Sequence, residues 1–451
     1  MRVWEVIIGE TESLCPECLR RVHAQRVAEG DDVYLRKICP VHGEYRVIIW
    51  RGGVEAYIKW GQKAEEGGGI KNTFTGIKKG CPYDCGPCPA HTGGVCIALI
   101  EVTHRCNINC PICFASSDGT PGHEPDLKTI EDMYRALLDS GGPYPVQLSG
   151  GEPTMRDDLP EIVAIGKGMG FDNIQINTNG IRLVEDVDYL TRLKESGASI
   201  IYLQFDGITD DVYRITRGMA LMDVKLQVLE NCAEIGLGVV LVPVLIPKVN
   251  DHQIGEIIQF AKTWMPTVRG VHFQPISYFG RYPRTPKDED RITMPEVLRA
   301  IEEQTEGEIK VEDFKPRRSK EAYCAFAGLF ILADNGKLIS TFRPDAERRA
   351  ERPPEAVRRF LRTYWTSPGA PQCRCESGIC LSSSLDWISD EFFNWVKAHC
   401  LTISGMPFQD VWNIDLERLK GCCIHVVTSD HRLIPFCAYY LTSKTGRRLY
   451  P

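Results

Sequence analysis

What the chain lacks narrows its class first. It has no long hydrophobic run: the most apolar stretch, Val239–Ile246, is broken by Pro243 and falls far short of the ~20 residues that span a bilayer. Positive charge is not in surplus, with 53 Lys and Arg against 60 Asp and Glu and a net charge of −7, so nothing advertises nucleic-acid binding. Met1–Glu12 carries acids in place of the basic, apolar pattern of an export signal. No internal repeat is evident, which sets solenoids and propellers aside. At 43% hydrophobic and 25% charged, the composition is that of an ordinary globular protein and too apolar for a disordered one. Its 451 residues predict two or three domains of roughly 100–200 residues each. A soluble, intracellular, cytoplasmic protein is expected.

Cysteine, by contrast, is abundant. There are 19, an odd number, and they are clustered. A secreted disulfide scaffold would be short and dense, so clustered thiols in a large chain without an export signal point to metal.

Periodicity and cysteine clusters divide the chain. Residues 1–75 open with short apolar alternations (Val3–Ile8, Tyr34–Ile38, Tyr45–Trp50) and read as a small β-rich metal-binding module that ends in a flexible break at Gly67–Gly69. Residues 76–97 form a Gly/Pro-rich cysteine loop. From 98 to 280 the pattern becomes strand, loop, helix, repeated. Candidate strands are Ala98–Thr103, Pro145–Ser149, Asn173–Thr178, Ile200–Phe205, Gly238–Leu245 and Gly270–Pro275. Amphipathic helices such as Lys128–Asp139, Asp158–Gly168 and Met222–Ile235 lie between them, which implies βαβ units and a parallel sheet. Six units are too few for the closed eight-stranded barrel and predict an α/β fold, an open partial (β/α)6 barrel with functional residues at the C-terminal strand ends. Residues 281–451 read as a C-terminal iron–sulfur domain: Arg281–Asp290 looks like a linker, Gly328–Ala333 and Ile424–Val427 like strands, Ser389–Ala398 like a helix, and Asp345–Arg359 like a solvated charged run.

The strongest signal is Cys106-Asn-Ile-Asn-Cys110-Pro-Ile-Cys113, directly after a predicted strand. Three thiolates at this spacing can hold three irons of a 4Fe–4S cube, and the missing fourth leaves one iron open to an external chelate. A structural zinc would need a fourth ligand. The spacing resembles the radical S-adenosylmethionine (SAM) superfamily. That resemblance implies that the open iron binds the methionine end of SAM, and that one electron cleaves the sulfonium to a 5′-deoxyadenosyl radical. It assigns catalysis to Cys106, Cys110 and Cys113. It also assigns SAM contacts to Phe114, to Gly150, Gly151, Glu152 and Pro153 after the next strand, and to Asn177, Asn179, Gln204, Asp206 and Val244 at later strand ends. An electron donor of ferredoxin or flavodoxin type is the implied protein partner.

Three further thiol sets are legible. Cys15-Pro-Glu-Cys18 and Cys39-Pro-Val-His42 make two knuckles about twenty residues apart, a tetrahedral mononuclear site with zinc as the default and rubredoxin-like iron as the alternative. Cys81, Cys85 and Cys88 repeat the central spacing in a Gly/Pro loop, where Cys96 offers a fourth thiol and would close an auxiliary 4Fe–4S cluster; structural zinc competes on ligand type. Cys373, Cys375 and Cys380 suggest a second auxiliary cluster, with Cys324 as a candidate fourth ligand and Cys400, Cys422, Cys423 and Cys437 unassigned. Cys232 sits on an apolar helix pattern and reads as a core thiol.

Over its whole length the chain resembles the archaeal tetraether lipid synthases and their relatives. The matching segments are LCPECLRR with CPVHGEY, GCPYDCGPCPAHTGG, VTHRCNINCPICFASS, QLSGGEPTMRDDLP and SGMPFQDVWNIDLERLKGCCIHVVTSDHRLIPFCAYY. This resemblance implies radical C–C coupling of isoprenoid lipid chains, an apolar tunnel beside the SAM site, and peripheral membrane contact. The alternative is a radical SAM methyltransferase or modifying enzyme acting on a small molecule such as a pterin, an older label for the same group. In the tail, Asp415, His425 and His431 read as structural in preference to catalytic.

Overall fold

The computed structural model describes residues 5–62, 72–73, 75–86, 88–117, 124–316, 321–341, 395–396 and 398–450. Gly67–Gly69, the charged run 345–359, most of the helix expected at 389–398, and Cys373, Cys375 and Cys380 lie outside the described residues.

The N-terminal module is a four-stranded antiparallel sheet, β1 (Glu5–Leu14), β2 (Arg21–Glu29), β3 (Asp32–Cys39) and β4 (Gly43–Arg51), in sequence order. Strand β2, RVHAQRVAE, is missing from the apolar alternations in the sequence because its buried side chains are small: Val22, Ala24, Val27 and Ala28. The helix Val54–Gly61 follows and buries Tyr57 and Trp60.

The core is parallel. β5 (Ile97–Thr103), β6 (Val146–Gly150), β7 (Ile174–Thr178), β8 (Ile200–Gln204) and β9 (Gly238–Val242) pair in order, and β11 (Val268–Pro275) follows β9; the short β10 (Val244–Leu245) pairs with the end of β11. Because helices cover one face and the C-terminal segments pack into the other, these strands are apolar almost throughout; β5 and β9 are buried at every residue. The helices follow from their spacing. In Leu127–Asp139 the buried set Ile130, Met133, Tyr134 and Leu137 falls on one face, and the Asp126 carboxylate caps the helix by accepting from the Thr129 N–H at 2.8 Å. The six βα units form the open partial barrel that the periodicity predicts.

The C-terminal segments add to both edges of this sheet. β12 (Lys315–Pro316), β13 (Phe326–Leu332), β14 (Leu338–Ser340) and β15 (Cys400–Gly405) extend it beyond β11, with β15 parallel to β11. β16 (Ile424–Val427) runs parallel to β5 on the opposite edge, and β17 (Leu433–Pro435) pairs antiparallel to β16. Among the described residues the sheet reaches thirteen strands, and neither edge of the barrel is left bare.

The N-terminal sheet is clamped onto the tail by buried polar contacts. Lys37 is 1% exposed and donates to Ser13 Oγ at 3.0 Å and the Val411 carbonyl at 2.7 Å. Arg26 makes a two-pronged contact with the Asp415 carboxylate, at 2.9 and 2.6 Å, and Thr11 donates to the same carboxylate at 2.7 Å. Asp415 also caps the helix Leu416–Lys420, which makes it a structural clamp. Replacing Asp415 with Ala should therefore cost about 3 kcal/mol, because Arg26 stays half-buried without its partner. Urea unfolding checks this; Arg26→Met with Asp415→Leu should recover part of the loss, and an unchanged midpoint for Asp415→Ala would reject the clamp.

Candidate active site and metal centres

Strand β5 ends at Thr103, and the chain leaves it in the loop that carries Cys106, Cys110 and Cys113. Two contacts hold this loop. On one side, Arg281 exchanges backbone hydrogen bonds with Cys113 at 2.9 and 3.0 Å, while its guanidinium donates to the carbonyls of Cys110 and Ser117, each at 2.9 Å. Arg281 opens the stretch that reads as a linker; its role runs through backbone carbonyls and leaves no trace in composition. On the other side, the Gly151 N–H donates to the Thr103 carbonyl and the Glu152 N–H to the Arg105 carbonyl, both at 2.8 Å. Gly150 has a φ of +128°, and a Cβ there would land on the Thr103 carbonyl oxygen.

Glu152 is 1% exposed and accepts from Thr154 N, Thr154 Oγ1, Thr178 Oγ1 and Asn179 N between 2.7 and 3.0 Å. Burial nonetheless pushes its carboxyl above the ordinary range. It organises the end of β7, where the Asn179 amide donates to Asn107 Oδ1 in the cysteine loop at 2.7 Å. Asp206 is fully buried; although burial would raise it, Arg217 beside it holds the carboxyl below its usual value. Arg217 donates to both Asp206 oxygens at 2.6 and 2.9 Å and brings Nη1 to 3.9 Å from Cys110 Sγ. Lys225, also fully buried, donates to the Asn179 carbonyl at 2.6 Å and to Gln204 Oε1 at 3.2 Å, and burial pushes its ammonium down to about 7.

One cavity of about 210 Å³ joins these elements. Cys106, Cys110, Cys113, Phe114, Gly150, Gly151, Glu152, Asn177, Asn179, Gln204 and Val244 all line it. Pro153 and Asp206 do not: Pro153 turns the chain away from β6, and Asp206 stands behind the wall as the partner of Arg217 and of the Val244 N–H. Arg217 and Lys225 escaped the sequence reading. A Lys on the buried stripe of Met222–Ile235, in step with Val228, Leu229 and Cys232, was the available signal for the second. Met406, Phe408, Ile424 and Phe436 from the C-terminal segments close the cavity.

The donor set fits a cluster. Among the described residues, only Cys15, Cys18, Cys39 and His42 bring a set of donor atoms within 4.8 Å of one another. Cys106, Cys110 and Cys113 face one cavity, as suits three corners of a 4Fe–4S cube with one corner open. Burial pushes the Cys106 thiol up to about 12, so a thiolate there needs a cationic partner.

The N-terminal set has the dimensions of a mononuclear site. His42 Nδ1 lies 3.5 Å from both Cys15 and Cys39 Sγ, and Cys18 and Cys39 Sγ are 4.0 Å apart. These are close to the edges of about 3.8 Å that Zn–S bonds of ~2.3 Å give a tetrahedron. Burial works against ionisation of Cys39, yet the N–H groups of Val41 and His42 and the His42 ring draw it down to about 6.

The upstream set differs from expectation. Cys81, Cys85 and Cys88 line one small void, but His91, not Cys96, joins them there. Cys96 forms a disulfide with Cys423. The cause is register: β16 pairs with β5 through Ile424 and Ile97, which sets the two preceding cysteines side by side. His91 Nε2 lies 2.8 Å from the Cys422 carbonyl and 3.2 Å from His425 Nε2. Cys324 Sγ accepts from Arg418 Nε at 3.1 Å, and its expected co-ligands lie outside the described residues. Cys232 is a fully buried core thiol.

Comparison with known proteins adds family to this geometry. Residues 100–261 match the Radical SAM superfamily, and residues 7–51 match the HMPTM N-terminal zinc ribbon domain. The chain is 39% identical over 472 aligned positions to 7,8-dihydro-6-hydroxymethylpterin dimethyltransferase of Methanocaldococcus jannaschii, covering 95% of this chain and 93% of that one. A probable GTP 3′,8-cyclase of Archaeoglobus fulgidus is 30% identical over 166 residues, 37% of this chain and 54% of its own length. Streptococcus suis SuiB bound to S-adenosylmethionine aligns with a TM-score of 0.38 at 17% identity, over 48% of each chain.

Two outcomes follow. Cys18→Ser should lose the metal of the N-terminal site, read by elemental analysis, while iron elsewhere is kept; full zinc retention would reject the four-ligand assignment. Arg217→Met should cost about 3–5 kcal/mol in denaturant unfolding, since it strands a buried carboxylate, and adding Asp206→Asn should restore most of it; no loss on the single change would deny the pair its buried charge.

Proposed function

We propose a function from one premise: the chain belongs to the radical SAM superfamily, in the family of the Methanocaldococcus jannaschii 7,8-dihydro-6-hydroxymethylpterin dimethyltransferase. The function is radical SAM modification of a small polar heterocycle of the pterin class, with methyl transfer as the reaction. The observation that carries it is the identity of 39% across 93% of a relative named for that reaction.

Lipid C–C coupling, the main expectation from the resemblance to tetraether lipid synthases, is overturned by the same alignment, and the expected membrane contact loses its ground with it. Among the described residues, no helix is long and apolar enough to cross a membrane. The cavity is lined by apolar side chains interspersed with Gln147, Asn177, Gln204 and Gln274, and Gln204 Nε2 is buried without an acceptor among the described residues, a donor that a polar ligand would meet.

Cys106, Cys110 and Cys113 would hold a 4Fe–4S cluster with one iron left open to SAM, and together these groups would supply one-electron sulfonium cleavage and removal of a hydrogen atom from an unactivated carbon. Around them, Gly150 and Gly151 let the backbone approach the cysteine loop, and Glu152 holds Thr178 and Asn179 at the rim. Arg217 keeps positive charge beside Cys110, and Met406, Phe408 and Phe436 exclude water. The electron comes from a donor of ferredoxin or flavodoxin type.

Anaerobic incubation of the reconstituted protein with SAM, a reductant and 7,8-dihydro-6-hydroxymethylpterin should yield 5′-deoxyadenosine and a mass-shifted pterin, and Cys110→Ala should yield neither. Unchanged pterin beside mass-shifted archaeal lipid in a parallel reaction would reverse the substrate class.

A further inference from the structure

One donor in the wall of the SAM cavity has its direction set from behind. Gln204, at the end of β8, lines the cavity. Its side-chain amide has two unlike arms, an oxygen that only accepts and a nitrogen that only donates. The oxygen is taken: Lys225 Nζ donates to Oε1 at 3.2 Å. The nitrogen is not: Nε2 is buried and has no acceptor among the described residues. A buried amide N–H in this state is disfavoured unless a bound molecule meets it.

Lys225 comes from the helix Met222–Ile235, on the buried stripe with Val228, Leu229 and Cys232, and is itself fully buried. Its ammonium reaches the Asn179 carbonyl, just after β7, at 2.6 Å and the Gln204 oxygen at the end of β8. Asn179 also lines the cavity, so one nitrogen joins two parts of its wall. Among the described residues no carboxylate pairs with Lys225: Asp206 is held through both oxygens by Arg217, and Glu152 by Thr154, Thr178 and Asn179. A Leu or Met on the stripe would avoid burying that charge. What the lysine provides is polarity. An ammonium has three donors and no lone pair. A Gln204 amide turned the other way would set its NH2 against those donors, out of reach of water. The contact therefore decides which arm of the amide faces Lys225 and, by exclusion, which arm is left over.

We propose that Lys225 is a positioning residue: by holding Gln204 Oε1 it turns the amide NH2 toward the SAM cavity, where Gln204 donates to an oxygen or ring-nitrogen acceptor of the bound ligand. SAM and a pterin-class substrate both carry such acceptors. This rests on the radical SAM reading above; the pterin class enters only as one of the two sources of the acceptor.

The full-length, cluster-reconstituted protein is titrated by anaerobic calorimetry without reductant, first with SAM and then with 7,8-dihydro-6-hydroxymethylpterin at saturating SAM. The pH is kept on the acid side of 7, where Lys225, brought down to about 7 by burial, holds its proton. Gln204→Glu places oxygens on both arms: it pairs with Lys225 but has no hydrogen to give the ligand. It should weaken one of the two ligands about tenfold while the melting midpoint stays level or rises, and the ligand that responds identifies the acceptor. Wild-type affinity of this variant for both ligands, or for SAM alone where the pterin fails to bind even wild-type protein, overturns the donor role. That failure of the pterin speaks against the substrate class by itself, and a loss of SAM affinity beside it leaves the donor role standing. Lys225→Met should weaken the same ligand several-fold and spare the other. In a cycle with Gln204→Met, the double variant should lose no more than Gln204→Met alone, because without the amide nothing is left to orient. Additive losses would reduce Lys225 to a structural role and overturn the proposal.

Discussion

A close backbone approach between the end of β5 and the turn after β6 governs the rest of the site. Gly151 and Glu152 donate their N–H groups to the carbonyls of Thr103 and Arg105 at 2.8 Å, and neither Gly150 nor Gly151 could carry a Cβ without striking those carbonyls. A side chain there would push the two strand ends apart, and the cysteine loop begins at one of them. The glycines that admit the loop are followed at once by Glu152, whose buried carboxylate collects donors from Thr154, Thr178 and Asn179 and so ties the end of β7 to the same point. Three consecutive strand ends are thereby fixed at one point, at the carboxyl end of a parallel sheet where ligand sites form.

Buried charge is the second constraint. Asp206, Arg217 and Lys225 are all inside the molecule, where an unpaired ion is strongly disfavoured. Arg217 satisfies Asp206 with two hydrogen bonds and has a nitrogen left to face Cys110. Lys225 lacks such a partner: it meets a carbonyl and an amide oxygen, and burial lowers its ammonium accordingly. The fixed positive charge therefore stands at Arg217, next to the sulfur, and the titratable one stands a layer behind. A group that accepts an electron at the cysteine loop would find the first of these favourable at any pH near neutral.

Much of this was legible because it is periodic or local. The strands of the barrel, the helices between them and the thiol spacings are short-range patterns, and the Cys106 loop carries its chemistry in eight consecutive residues. What stayed hidden depends on distant pairing. Arg281 acts through carbonyls in a loop far from it in sequence. Arg217 is one arginine on an ordinary helix end until Asp206 is seen to be buried beside it. The pairing of Cys96 with Cys423 follows from β16 adding to the edge of β5, a register that no local signal announces. The substrate class was misread for a related reason: the matching motifs carry the cysteines and the turn after β6, whereas the rest of the cavity wall is scattered over the strand ends of the barrel and the tail.

That scatter has a structural logic. The barrel alone is open on both edges and on one face. The tail closes it by adding β15 and β16, and Tyr439 and Tyr440 fasten it to Glu101 of β5 at 2.8 and 2.6 Å. The N-terminal sheet then docks on the tail through Lys37, Arg26 and Thr11. The SAM cavity is not completed by the barrel alone: Met406, Phe408, Ile424 and Phe436 of the tail close it. The N-terminal sheet, far from Cys106 in sequence, thus bears on the SAM cavity through the tail it packs against.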